Sequence, residues 1–318
     1  MKSYQRLFIF GLAALGLTVL LSPWAAILWH WFTIGNPRWQ DDPYSFSKIF
    51  DRLFMVCGIV LFLVFRRSLK LGSLNELGLT PRTRAARDIL TGSITAVGSV
   101  VLLGALMSWT DIYEPFLRHP WPVILGRCGS AILAAIGAAF FEEIFFRGIV
   151  FKGLREDLGG LRAYLFANLF FAAIHFVQPA DDAPLTRIDP WAGFVHLGKS
   201  FGPFLHLDTL FPGLFGLFLI GAILCYAFER TGTLYLSMGL HGGWIFGIKT
   251  IGVFGLYTRE DLGWMFGSTD PKIVSGVFTW VGLLLVALVV HWITRHRGGL
   301  LTSQPAILSA AELGKEQI

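Results

Sequence analysis

The chain has 318 residues, of which 54% are hydrophobic and 15% charged, with a mean hydropathy of +0.61. So little polar surface cannot coat a soluble globule of this length, and long apolar runs are the mark of a polytopic membrane protein. The formal net charge of +5 is explained by the loops that join those runs and calls for no nucleic-acid partner.

Counting runs of roughly 20 apolar residues predicts an all-α protein with about eight transmembrane helices, near 7–32, 49–65, 88–109, 122–146, 163–178, 211–229, 234–256 and 273–293. The first run follows Lys2 and Arg6 as a signal peptide would, but it is too long and is followed by further spans, so it reads as a retained anchor. The link between the second and third runs carries Arg66, Arg67, Lys70, Arg82, Arg84 and Arg87. Lys152, Arg155 and Arg162 follow the fourth run, Arg230 the sixth, and Arg295 and Arg297 the eighth. Basic residues stay in cytoplasmic loops, so an even number of spans predicts both termini in the cytoplasm. The opposite loops hold Asp41, Asp42, Asp111, Glu114, Asp181 and Asp182, and Trp29, Trp31, Trp109, Trp121 and Trp264 suit an aromatic belt at the outer interface. Residues 1–120 then hold about three N-terminal spans and 257–318 the last span with a polar tail. Cys57, Cys128 and Cys225 fall inside spans at spacings that match no metal or disulfide framework and read as packing residues.

The fourth run contains the adjacent pair Glu142 and Glu143, followed by Arg147, within AILAAIGAAFFEEIFFRGIVF. Carboxylates in a lipid-spanning helix are costly unless paired or facing a wet cavity, which makes them functional candidates. Residues four apart share a helix face, so Glu143 and Arg147 are expected to pair, partly offsetting the burial of each charge. Glu142, turned about 100° away, lacks that partner and is the candidate general base, with Glu143 and Arg147 as its brace. On the fifth run Phe171 and His175 are also four apart. A turn at Gly159 and Gly160 would bring His175 back to the depth of Glu142. A second intramembrane histidine, His241, lies in LSMGLHGGWIF, where Gly239, Gly242 and Gly243 permit close helix approach. One glutamate and two histidines on three helices can bind and activate water.

These residues resemble three motifs of one family. Glu142, Glu143 and Arg147 fit EExxxR, Phe171 and His175 fit FxxxH, and His241 fits a later histidine motif. The chain resembles the CAAX-protease and bacteriocin-processing intramembrane endopeptidases, whose eukaryotic members are the type II CAAX prenyl endopeptidases, over roughly residues 120–250. The resemblance implies a catalytic core at 121–256, an active site in a conical cavity within the helix bundle, and a membrane-anchored or amphipathic peptide or protein as substrate. It also implies that Glu142 activates the attacking water, that His175 positions the water or shuttles its proton, and that His241 stabilises the oxyanion. The family is treated both as glutamate-type and as metal-dependent. With no HExxH present the zincin route has no support, and any divalent metal such as zinc would be held by Glu142, His175 and His241. Many family members carry Asn four residues after the late histidine, where this chain has Ile245. Asn168 is a candidate replacement donor, set against the plainer reading that it bonds a neighbouring helix.

Other signals carry less. Gly193, Gly198, Lys199 and Ser200 match GxxxxGKS, but a phosphate-binding loop needs a strand before it and a helix after it. No nucleotide partner is expected. His196 and His206 in the same loop read as solvated or interfacial, and the segment from Asp189 to Pro212 as lying on the membrane surface. His30, His119, His291 and His296, near span ends, suggest only solvation. Two rival classes stand beside the endopeptidase: a proton-coupled transporter, since Glu and His chains also relay protons, and a non-catalytic or immunity-type member, suggested by Ile245.

Overall fold

The computed structural model describes residues 2–35, 44–65, 73–117, 119–177, 183–259, 261–267 and 273–297. Arg66, Arg67, Lys70, Asp41, Asp42, Asp181, Asp182 and the polar tail lie outside the described residues. In chain order the principal helices are α1 (Ser3–Thr33), α2 (Phe46–Phe65), α3 (Ala85–Trp109) and α4 (Trp121–Glu143), which runs through a π-helical segment (Ile144–Phe151) into α5 (Lys152–Leu158). Then follow α6 (Gly160–Ile174), α7 (Ala192–Ser200), α8 (Leu207–Thr231), α9 (Tyr235–Ile251), the short α10 (Gly263–Phe266) and α11 (Val277–Thr294).

The eight predicted runs each overlap one of these helices, but not all of those helices are long and apolar enough to cross a membrane. Among the described residues five stretches are long and apolar enough to cross a membrane: Tyr4–Thr33, Ala85–Trp109, Trp121–Leu158, Leu207–Thr231 and Val277–Thr294. The protein is therefore an all-α, multi-pass integral membrane protein. The fourth run is longer than predicted, because the helix continues for a further stretch to Leu158 before the turn at Gly159, whose φ of 81° is the left-handed region that suits glycine. The fifth is shorter. It ends at Ile174 and leaves His175 in the turn beyond. Two three-residue strands not foreseen from the sequence, β1 (Tyr113–Pro115) and β2 (Gly255–Tyr257), pair antiparallel with Tyr113 opposite Tyr257.

The chain divides into two compact units, Met1–Gly72 with Ala173–Leu210, and Ser73–Ala172 with Phe211–Ile318. In the first, α1 packs on α2 and α7 around Val19, Ala26, Phe46 and Phe50. The GxxxxGKS residues lie in and along α7, so they form helix and not a phosphate loop; at Gly193 a side chain would run into the carbonyl of Val19. His196 corrects its expected solvated setting. It is 1% exposed, with its ring against those of Phe46 and Phe50 at centroid distances of 5.4 and 4.7 Å. Both phenylalanines belong to α2, and the imidazole offers their rings a flat, mostly apolar partner. His206 is exposed.

In the second unit α9 packs against both α3 and α4. Small residues set the α3–α9 approach. A Cβ at Gly243 would lie 2.7 Å from Ala96 Cβ, one at Gly247 2.9 Å from Val100 Cγ2, and one at Gly92 2.6 Å from the Leu236 carbonyl oxygen, while at Gly239 it would strike the backbone of Ile89. Helix association in lipid rests on such close backbone approach. Gly239→Val is expected to force α9 away from α3 at a cost of about 3 kcal/mol or more, seen as a lowered melting temperature and loss of monodisperse protein on size exclusion in detergent. Elsewhere in this unit, Glu229 accepts a 2.6 Å hydrogen bond from the Tyr164 hydroxyl and pairs with Arg155. The Tyr226 hydroxyl is 2.7 Å from His291 Nδ1, so His291 is bonded within the protein and not merely solvated. Trp109, Trp121 and Trp264 are exposed, as a belt requires.

Candidate active site

The acid pair sits where α4 gives way to the π-helical segment. π-helical turns are rare and recur at functional sites. Here the turn begins directly after Glu143 and contains Arg147, at the centre of the most polar buried spot in an apolar helix. Glu143 and Arg147 are both fully buried, and Arg147 Nη1 donates to Glu143 Oε1 at 2.8 Å. The predicted brace is thus present. Its reach is wider than the sequence suggested, because Glu143 Oε1 also lies 2.8 Å from Nδ1 of His241 on α9. One carboxylate oxygen therefore joins the guanidinium of its own helix to the imidazole of another.

Arg147 is held on its remaining sides. Nη2 lies 3.4 Å from the Gly221 carbonyl on α8, and the guanidinium carbon sits 4.4 Å from the ring centroid of Phe171 and 5.8 Å from that of Phe146. A weakly hydrated planar cation suits such aromatic faces. Phe171, 1% exposed, meets Phe146 edge-on at 5.0 Å and His241 at 6.0 Å, and so wedges between the arginine and the imidazole. This gives the first residue of the FxxxH motif a packing role that spacing alone did not reveal.

Glu142 takes the other side of the same imidazole. Its Oε2 is 3.8 Å from His241 Nε2, and its side chain is 34% exposed where that of Glu143 is wholly buried. With Nδ1–H directed at Glu143, His241 turns Nε2 toward Glu142. Two polar atoms that far apart are too distant for a direct hydrogen bond but can share one small polar molecule. The Glu142 setting is accordingly more open, and closer to a polar neighbour, than the isolated apolar site expected from the sequence.

Asn168, 1% exposed on α6, points its Oδ1 at Cys225 Sγ on α8, 3.3 Å away, and fills the space left by the absent side chain of Gly221. That is the helix-to-helix contact of its plainer reading. Ile245, one turn beyond His241, is half-buried. The structure thus groups Glu142, Glu143, Arg147, Phe171 and His241, with Asn168 beside them. His175 lies in the turn after α6 and belongs to the first unit. Gly221 escaped the sequence reading, since a glycine on a distant helix carries no mark of the charge it will face, whereas Cys225 packs in the interior as its spacing suggested.

Among the described residues no three His, Cys, Asp or Glu side chains converge as a metal-ligand set. Glu142 and His241 supply two donor atoms, short of the three protein ligands of a catalytic zinc site.

The fold and the cluster define a multi-pass membrane protein with a buried Glu/Arg/His centre between helices. Residues 124–247 match the family model described as type II CAAX prenyl endopeptidase Rce1-like. The matched segment, less than half of the chain, holds every side chain of the cluster. No curated protein and no solved structure matches the chain significantly.

Proposed function

We propose that the protein is an intramembrane endopeptidase that hydrolyses a peptide bond of a membrane-anchored or amphipathic substrate, with both termini in the cytoplasm and a catalytic core at 121–256 that opens a cavity within the bundle. The observation that carries this reading is the placing of His241 between two carboxylates, one buried and paired, the other accessible. Glu142 takes a proton from a water molecule as its oxygen attacks the scissile carbonyl carbon. The tetrahedral oxyanion that forms is stabilised by Nε2–H of protonated His241, whose Nδ1–H stays on Glu143. Glu142 then passes its proton to the departing amine nitrogen as the C–N bond breaks, which returns it to the carboxylate. His175 would position the water or relay its proton, as the family resemblance implies.

The reading is tested by comparing the membrane proteomes of cells carrying the wild-type chain and Glu142→Ala. One membrane protein should accumulate uncut with the variant, and purified wild-type protein should cleave it in the presence of a chelator. Identical proteomes, with the biological effect retained by Glu142→Ala, would instead favour a non-catalytic member, consistent with Ile245 in place of an oxyanion donor.

A further inference from the structure

Away from the acid cluster, the second unit holds a pocket of about 560 Å³, within the range of small-ligand sites. It lies where three membrane-length helices end: before the first turn of α3, at the last residue of α8, and just past α11. Arg82, Arg84 and Arg297 line it together with His296, Asp88 and Thr231. Three guanidinium groups face a single carboxylate, an excess of two positive charges even with the imidazole neutral.

The internal bonding leaves most of that charge available. Arg297 Nη1 contacts both oxygens of Asp88, at 2.8 and 2.9 Å, and Arg82 Nη1 donates to the Thr231 carbonyl at 3.0 Å. Each guanidinium has five N–H donors, so these contacts fix the two side chains in place without exhausting them. Arg84 is exposed and makes no ion pair with any described residue. The walls are also tied together, since Arg230 at the end of α8 donates to the carbonyls of Thr294 and Arg295 at the end of α11, each at 3.0 Å. His296, expected only to be solvated, is part of this wall.

We propose that this pocket binds a phosphate-bearing anion. A planar fork of donors matches phosphate oxygens in pairs, and a polar pocket at the ends of apolar spans lies at the depth of lipid headgroups, where basic side chains attract anionic lipid. The chemistry is shared by a phospholipid headgroup and by soluble phosphate. The site is separate from the proposed peptidase centre and stands whether or not that reading holds.

The test uses the purified full chain reconstituted in nanodiscs of phosphatidylcholine alone or with phosphatidylglycerol, with native mass spectrometry counting retained lipid and with inorganic phosphate as a parallel arm in detergent. Each basic side chain near a headgroup surface contributes roughly a factor of five in affinity. Arg82→Gln with Arg84→Gln is therefore expected to weaken phosphatidylglycerol retention about thirtyfold, and Arg84→Gln alone, which breaks no bond to a described residue, about fivefold. Inorganic phosphate that protects the wild type against thermal unfolding but not the double variant, without any lipid preference, would identify the soluble source. Two results would overturn the proposal: no preference for either probe, or an undiminished preference in the correctly folded Arg84→Gln and double variants.

Discussion

Glu142→Gln is expected to lower kcat/KM for the cleaved substrate by about a thousandfold or more, while the melting temperature in detergent stays close to that of the wild type. The amide keeps the size and much of the polarity of the carboxylate but cannot take a proton from water, and general-base catalysis of this kind contributes roughly 10²- to 10⁴-fold. Stability should be spared because Glu142 is partly exposed and takes no part in the buried pair of Glu143 and Arg147. The measurement is cleavage in proteoliposomes at matched protein levels, with thermal unfolding followed on the same preparations. Turnover like the wild type's would remove Glu142 as the base and with it the proposed reaction.

The two adjacent acids sit in different settings, one wholly buried in an ion pair and one partly exposed, and the sequence carried only part of the distinction. Helical spacing placed Glu143 with Arg147 and turned Glu142 away from them, because that contact is local and obeys the i,i+4 rule. The membrane spans were legible for the same kind of reason: apolar length is a property of one segment at a time. Glycines at 239, 242 and 243 announced a close helix approach, though not that α3 and α4 would be the partners. The bond from His241 to Glu143 was hidden, since it joins residues far apart in sequence and depends on which way α9 is rotated. The π-helical segment was hidden too, because it changes the register of a helix without changing its apolar pattern. His196 misled for a related reason. A histidine between Gly193 and Gly198, in an aromatic-rich segment expected to lie on the membrane surface, gives no sign that two phenylalanines of α2 will enclose its ring.

Removing either half of the buried pair should cost the stability that Glu142→Gln spares. Arg147→Met leaves Glu143 charged and wholly enclosed, and Glu143→Gln leaves the guanidinium in the same position. Stranding one charge of a buried pair costs about 3–5 kcal/mol, enough to lower the melting temperature markedly and to reduce the yield of folded protein. The double variant Glu143→Gln with Arg147→Met buries no net charge, and because apolar or neutral replacements of a whole pair are often tolerated, it should recover most of the stability lost by either single change. Its activity should not recover. His241 would then have lost the carboxylate that fixes Nδ1 at 2.8 Å and so aims Nε2 at Glu142, and an imidazole free to turn cannot hold the donor geometry that oxyanion stabilisation requires. Thermal unfolding and proteolysis of the four proteins therefore form a double-mutant cycle with two readouts. Stability that recovers in the double variant beside activity that does not is the expected pattern. Recovery of both together would mean that the pair supports only the fold and that His241 finds its orientation elsewhere.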